Sequence, residues 1–490
     1  MRFNTSSLDR PYNLTLGKTA KRTALSRGSE VQCIIEGNTV SERGDKNFMN
    51  IILLSGGSGK RLWPLSNDIR SKQFIKIFKK HGLDMTLDTE DDYESMVQRI
   101  YRQIRTADPN ADVTIATTKS QVSAIHNQLG EEVGISVEPC RRDTFPAIAL
   151  ATAYLKDCRG VDENEAVVVC PVDPYVEDGY FRTLKEMCDS AQKGTANLVL
   201  MGIEPTYPSE KYGYIKPKKD GSWGFTEKPT AEKAAEYIKE GALWNGGVFA
   251  YKLSYVLSKA RELLGTDSYE ELFTGYSGLK KISFDYAVVE QEDKIEVVRY
   301  SGTWKDLGTW NTLTEAMEEK TIGDATLNKN CSNVHVINEL GIPILVMGGK
   351  NMVISASADG ILVSDKEQSS YIKPFVDAID HQIMFAEKSW GSYRVLDVEE
   401  ESMTVKVTLN PGHKMNYHSH EKRDEVWTVI SGSGKTIVDG MEQKIKPGDV
   451  VTMAAGCKHT VIAGKKGLQL IEVQMGKDIS VKDKKKYRMP

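Results

Sequence analysis

No stretch of the sequence reaches the roughly 18 to 20 consecutive apolar residues that a membrane-spanning helix needs. The first residues also lack the charged segment and long apolar run of a secretory signal. A soluble protein with no membrane partner is expected. Cysteine is scarce: seven occur in 490 residues, at 33, 140, 158, 170, 188, 331 and 457, and no two form a CxxC pair. That argues against a disulfide scaffold and fits buried thiols in a reducing cytoplasm. A basic excess is missing as well. Sixty-four Lys and Arg face 68 Asp and Glu, a formal charge of −4, which argues against a dedicated nucleic-acid binder. Apolar surface, by contrast, is plentiful. With 40% apolar and 27% charged residues, and the length of about three average domains, the chain can bury at least one large core.

Residues 1–48 are rich in Ser, Thr, Asn, Arg and Lys and poor in apolar periodicity, so little burial offsets the entropy of ordering them. They read as a mobile leader or as an extension ahead of a start at Met49. A transit peptide fits less well, because Asp9, Glu30, Glu36, Glu42 and Asp45 interrupt the basic character. From 49 to about 320, strand-like runs alternate with amphipathic stretches. The runs are Ile51–Leu54, Val113–Ala116, Ala166–Cys170, Leu198–Ile203 and Gly247–Tyr251. This alternation predicts an α/β, Rossmann-like domain with a mixed, mostly parallel sheet. Between about 330 and 372 short strands are broken by Gly and Asn, as in Asn333–Ile337 and Asn351–Ser355, which predicts a small β connector resembling one or two turns of a β-helix. From Trp390 to about Gly476 nearly every segment is a strand candidate, so a compact all-β barrel or jelly roll follows. The expected boundaries are 49–325, 326–380 and 381–490. The Lys-rich stretch from Lys482 to Tyr487 reads as a solvated end.

The first strand runs directly into Ser55-Gly56-Gly57-Ser58-Gly59-Lys60-Arg61-Leu62-Trp63-Pro64-Leu65-Ser66. Clustered glycines let backbone N–H groups approach an anion, and Lys60 and Arg61 add positive charge there, so the loop is a candidate phosphate cradle. It has neither P-loop spacing nor the dinucleotide glycine pattern, and a purely structural turn remains open. With Ser71-Lys72-Gln73-Phe74 added, the string resembles the signature of the sugar-phosphate nucleotidylyltransferases. Its Leu-Trp-Pro-Leu-Ser ending points to their mannose-1-phosphate guanylyltransferase branch. Further matches follow in order: Glu138-Pro139, Arg142 to Ala147, Pro171-Val172-Asp173, Tyr212 to Ile215, Glu227-Lys228-Pro229, Trp244 to Gly247, Ser283 to Ala287 and Trp304 to Trp310.

In such an enzyme the phosphate oxygen of a sugar 1-phosphate attacks the α-phosphorus of GTP in line while diphosphate leaves, so positioning and charge neutralisation carry the catalysis. The resemblance implies that Arg61 and Lys72 engage the triphosphate, with Leu54, Gly56, Gly57, Gly59 and Lys60 completing the nucleotide site. Asp173 follows an apolar strand and, with Asp306, suits Mg²⁺ through hard oxygen ligands. A helix cap or a turn is the structural alternative for either aspartate. Lys228 would hold the sugar phosphate, Glu227 and Asn245 would bond sugar hydroxyls, and Gly213 and Gly246 would let backbone approach the ring. An ordinary turn before a strand is the alternative for Asn245-Gly246-Gly247. Guanine selection is expected from backbone near Leu54 to Gly57 and from residues 138–147. Asp143 stands where the family usually has asparagine, and Pro174 where histidine is common.

In the last module, Gly412, His418-Ser419-His420, Glu425 and Gly432 are followed by Gly448, Gly456 and His459, a spacing that resembles the two motifs of the cupin barrel. Histidines at i and i+2 share one face of a strand. His418, His420, Glu425 and His459 would then form a three-His, one-carboxylate site for Zn, Mn, Fe, Co or Ni. The whole layout resembles the bifunctional mannose-1-phosphate guanylyltransferase and mannose-6-phosphate isomerase family. This implies GDP-mannose synthesis from GTP and α-D-mannose 1-phosphate, with mannose-6-phosphate isomerisation in the cupin and Arg423 binding that substrate's phosphate. Homodimer formation is compatible with the layout. His418 replaces the isomerase family's usual glutamine and Val426 its usual histidine, while Ala454 and Ala463 replace a proline and an asparagine. A nucleotidyltransferase for another sugar phosphate, with a cupin that senses sugar or mediates assembly, is the alternative.

Overall fold

The structure is a computed structural model that describes residues 49–57, 60–80, 93–379, 382–477, 479–480 and 483–489. The expected leader 1–48, Gly59 and Lys482 lie outside the described residues. The central sheet has nine strands. Its main path runs Trp223–Thr226, Tyr214–Pro217, Leu243–Lys252, Ala166–Pro171, Asn50–Leu54, Asp112–Thr118, Gly134–Glu138, and Leu198–Ile203 and Ile295–Tyr300 join beside Leu243–Lys252. The four strands from Ala166–Pro171 to Gly134–Glu138 are parallel, whereas Leu243–Lys252 runs against its neighbours, which makes the sheet mixed.

The first strand is apolar at nearly every position because both faces of the sheet are covered. Ile51 and Leu53 pack with Val168 and Cys170 against Val97, Ile100 and Ile104 of helix Met96–Ala107 and Leu184 and Met187 of helix Gly179–Lys193. Ile52 points the other way, with Val167 and Val169, onto Ile148 and Leu150 of helix Thr144–Asp157 and Val256 and Leu257 of helix Leu253–Leu264. Local signals start these helices. Ser95 and Gln98 form a capping box ahead of Met96. Asp143 caps Thr144 with its carboxylate from φ 71° and ψ −178°, a strained backbone conformation that residues with a Cβ rarely adopt.

Beyond the sheet, Thr321–Ile322, Ser332–Asn338 and Lys350–Ser357 stack in parallel, as do Ala325–Leu327 and Ile344–Val346. Asn333 and Asn351, at φ 51° and 50°, link successive layers through a 2.8 Å side-chain hydrogen bond. The last module is mostly antiparallel, a half-barrel built on the long strands Asp424–Val438 and His459–Met475. One sequence expectation is corrected here. Among the described residues, 483–487 are not a free end: their lysine side chains are exposed as expected, but Lys485–Lys486 pairs antiparallel with His418–Ser419. Among the described residues no cysteine forms a disulfide and no helix is long and apolar enough to cross a membrane.

Candidate active sites

Two parallel strands deliver the first cluster. Leu54 lies opposite Pro171, so the loop from Ser55 and the turn holding Asp173 leave the sheet side by side at its carboxyl edge. Asp306 arrives on a two-stranded antiparallel ribbon in which it pairs with Pro174 while Trp304 pairs with Val176. Pro174 therefore sits in the ribbon that joins the two aspartates. Lys72 stands between them, with Nζ 2.5 Å from Asp173 Oδ2 and 3.9 Å from Asp306 Oδ1. A Cβ on Gly308 would lie 3.2 Å from an Asp306 oxygen and 3.5 Å from Arg61 Nη1, which places Arg61 at the same cluster. Burial pushes Asp173 up, but the Lys72 charge and hydrogen bond, with Arg61 beyond, reverse this and hold it below the ordinary carboxylate value. Asp306 is raised, by burial and by the Asp173 charge. Two crowded carboxylates already bridged by an ammonium group form a donor set suited to a hard cation.

Behind the cluster the glycine loop is open in front and anchored at its back. Gly56 and Gly57 are exposed, and a Cβ on either would meet nothing within 4 Å. The Gly57 carbonyl accepts from Ser71 Oγ and Arg141 Nη2, both at 3.2 Å. Ser71 in turn accepts from Gln121 Nε2 at 2.7 Å, and Gln121 Oε1 accepts from Thr117 and Gln73. Lys60, expected at the triphosphate, instead pairs with Asp377 at 3.0 Å.

Further along the same domain, the backbone N–H of Asn245 donates to the Gly213 carbonyl at 2.8 Å. A Cβ on Gly213 would come within 2.7 Å of Glu227 Oε2 and 2.8 Å of the Phe225 ring, so glycine is required there for close packing. Lys228 donates to Glu227 at 2.5 Å. Asn245, Gly246 and Gly247 are not a turn before a strand: they form a bulge inside Leu243–Lys252. The bulge leaves the Asn245 side chain donating to Asp285 at 2.7 Å. Burial raises Asp285 to about 6, tempered by this hydrogen bond.

The cupin cluster is buried. His418, His420 and His459 offer nitrogens within 4.8 Å of one another, and all three rings are at most 3% exposed. Each Nδ1 faces a backbone carbonyl: that of Asn416 at 2.6 Å for His418, of Cys457 at 3.0 Å for His459, and of Asp483 for His420. If Nδ1 carries the proton in each ring, every Nε2 presents a lone pair inward, that of His420 toward Arg423 Nη2 at 2.9 Å. Burial lowers His418 to about 2 and His420 to about 4, which keeps both neutral. Burial works against ionisation of Glu425, yet a hydrogen bond and charge from His459 when that ring is protonated, with Arg423 beside it, hold Glu425 below the ordinary carboxylate value. Glu425 Oε2 and His459 Nε2 lie 3.2 Å apart, yet neither atom has a hydrogen-bond partner. Two buried acceptors facing each other call for a cation, so the donor set fits a divalent transition metal. Arg423, expected to bind a sugar phosphate, is 8% exposed and turned inward, donating to Glu425, His420 and the Ser480 carbonyl.

Residues 50–322 match the family model described as nucleotidyl transferase, more than half of the chain. The chain belongs to the nucleotidyl transferase family. Residues 377–488 of this nucleotidyl transferase match a second model, mannose-6-phosphate isomerase C-terminal. The alginate biosynthesis protein AlgA of Pseudomonas putida is 27% identical over 89% of this chain and 95% of its own length. A mannose-1-phosphate guanylyltransferase of Salmonella montevideo is 26% identical over 87% and 95%. A crystal structure described as mannose-1-phosphate geranyltransferase from Thermus thermophilus superimposes with a TM-score of 0.56 at 27% identity, covering 68% of this chain and 99% of that one.

Four side chains of this nucleotidyl transferase escaped the sequence reading wholly or in part. Gln121 is fully buried behind the glycine loop, and nothing in its neighbourhood in sequence marks it. Asp285 lies inside a quoted motif without a task of its own, and Glu138 is expected only as one of residues 138–147 near guanine. Burial raises Glu138 to about 7 while it accepts from Tyr276 Oη at 2.8 Å. Asp483 was hidden in the stretch read as solvated.

Proposed function

We propose that this enzyme transfers GMP from GTP to α-D-mannose 1-phosphate, releasing diphosphate and forming GDP-mannose. The observation that carries the reading is the Asp173–Lys72–Asp306 cluster at the carboxyl edge of the sheet, beside the open glycine loop. Gly56, Gly57, Arg61 and Lys72 hold and neutralise the triphosphate. Glu227, Lys228 and Asn245, the last braced by Asp285, hold the phosphorylated hexose. Asp173 and Asp306 hold Mg²⁺, which when bound supplies charge neutralisation at the phosphates. The phosphate oxygen of the sugar forms the new bond to the α-phosphorus as the bond to diphosphate breaks, so no covalent enzyme intermediate is required. Names of the relatives, a mannose-1-phosphate guanylyltransferase and an alginate biosynthesis protein among them, agree with polysaccharide precursor synthesis.

The cupin supports a second activity, mannose-6-phosphate isomerisation, favoured by the buried triad with Glu425 and by the match to an isomerase C-terminal model. A divalent metal held by His418, His420, Glu425 and His459 would supply Lewis acidity toward the sugar oxygens. The test is a panel of nucleoside triphosphates and sugar phosphates scored by diphosphate release, with fructose 6-phosphate formation from mannose 6-phosphate followed in parallel. GTP with mannose 1-phosphate is expected to be turned over best. Asp173→Asn is expected to lower that turnover by about 10³-fold, the scale for losing a group that stabilises developing charge. No turnover with this pair overturns the reading.

A further inference from the structure

The three histidines of the cupin cluster are not oriented in the same way. The carbonyls that receive Nδ1 of His418 and His459 belong to Asn416 and Cys457, each two residues upstream, so the local backbone supplies those acceptors. His420 has no such local partner. Its Nδ1 faces the carbonyl of Asp483, which is 63 residues away in sequence.

Asp483 is itself held in place. Its two carboxylate oxygens accept the backbone N–H groups of Glu421 and Lys422 at 3.0 and 2.9 Å, directly after His420. The following residues continue the strap, with Ser419 opposite Lys485 and His418 opposite Lys486. Tyr487 N–H then donates to the Tyr417 carbonyl at 2.8 Å, and its hydroxyl meets Ser419 Oγ at 3.1 Å. Just upstream, the Ser480 carbonyl accepts from Arg423, which in turn bonds Glu425 and His420. These pairings and hydrogen bonds of the strap thus land on Tyr417 to Lys422, around two of the three histidines, while Lys458 Nζ stands 4.7 Å from the centre of the Tyr487 ring.

We infer that residues 483–487 are a working part of the metal centre, with Asp483 a positioning residue that fixes the tautomer and ring orientation of His420. The inference rests on the metal reading of the cupin. It follows that the strap sets metal affinity, since a histidine whose far nitrogen loses its acceptor can rotate or move its proton to the ligating nitrogen.

The experiment uses the full chain, stripped of metal and titrated with Co²⁺ against a chromophoric chelator, with the visible ligand-field spectrum recorded. Asp483→Ala keeps the carbonyl but removes the carboxylate that fixes it, so Co²⁺ binding is expected to weaken by about 10-fold, the lower end of what losing an outer-shell partner costs, with an altered spectrum. Asp483→Asn keeps one acceptor oxygen and should recover part of the loss. Thermal unfolding of the metal-free variants reports folding separately, and Tyr487→Phe, which loosens the strap by one hydrogen bond, gives a milder second variant. If Asp483→Ala binds Co²⁺ as tightly as the parent with the same spectrum, the inference is overturned. If the parent takes up no Co²⁺, or keeps its uptake after His459→Ala, the metal reading itself fails and takes the inference with it.

Discussion

At the scale of single residues, charge in confined space does most of the deciding. Lys72 depresses Asp173 while Asp173 helps raise Asp306, so one short ribbon register sets opposite tendencies on two chemically identical groups. Glu138 shows the same physics linked to stability. Its folded-state value of about 7 lies above its ordinary 4.5, mainly through burial. The folded state therefore binds the proton more tightly than the unfolded chain, and stability falls as pH rises between those two values. Glu138→Gln keeps an acceptor for Tyr276 and removes this penalty. The variant should match the parent near pH 4 and exceed it by on the order of 2–3 kcal/mol at pH 8. Melting temperatures across that range check the sign.

At the scale of elements, the loop after the first strand is held by structure far from it in sequence. Ser357 Oγ donates to the Pro64 carbonyl at 2.7 Å, and Trp310 Nε1 donates to the Trp63 carbonyl at 3.1 Å. Arg70 grips Glu339 with two hydrogen bonds at 2.8 and 2.9 Å. Gly360 permits the contact between connector and loop: at φ 146° a Cβ there would stand 2.4 Å from the Trp63 ring. Gly360→Ala should cost about 1–3 kcal/mol through overpacking, and should raise KM for the nucleotide by moving the segment that carries Arg61. Thermal unfolding and steady-state kinetics would show both. Three of the four strands of the parallel core are legible because runs such as Ile51–Leu54 and Ala166–Cys170 are apolar on both faces, whereas Gly134–Glu138, buried only at alternate positions at the edge of the path, is not among those runs. The bulge at Asn245 is not legible either, because a register shift depends on the partner strand, and neither is the pairing of Lys485–Lys486, whose side chains are polar and exposed.

At the scale of the whole molecule, the connector shares a core with the nucleotide loop. Leu62, Leu65, Ile75, Phe78 and Met96 pack with Leu307, Trp310 and Leu313, and also with Ile337 and Val353 of the stacked β layers. A chain ending near residue 325 would expose that cluster and lose the acceptors of Arg70 and Lys60. Such a chain should melt well below the full protein and bind a hydrophobic dye, whereas a cut within the 380s, which keeps the connector, should leave the cluster intact. Calorimetry of the two truncations distinguishes these outcomes.

Taken alone, the sequence determined the order of the modules, the apolar strands, the glycine loop and the chemical types gathered for each site, because periodicity and ligand chemistry are properties of residues and their spacing. The tertiary structure set Asp306, expected with Asp173, on the ribbon that joins them, and it alone decided that Lys60 pairs with Asp377, that Arg423 turns to Glu425 and His420, and that Asp483 stands behind His420. Those outcomes depend on strand register and on distances between segments remote in the chain, and local composition carries no record of either.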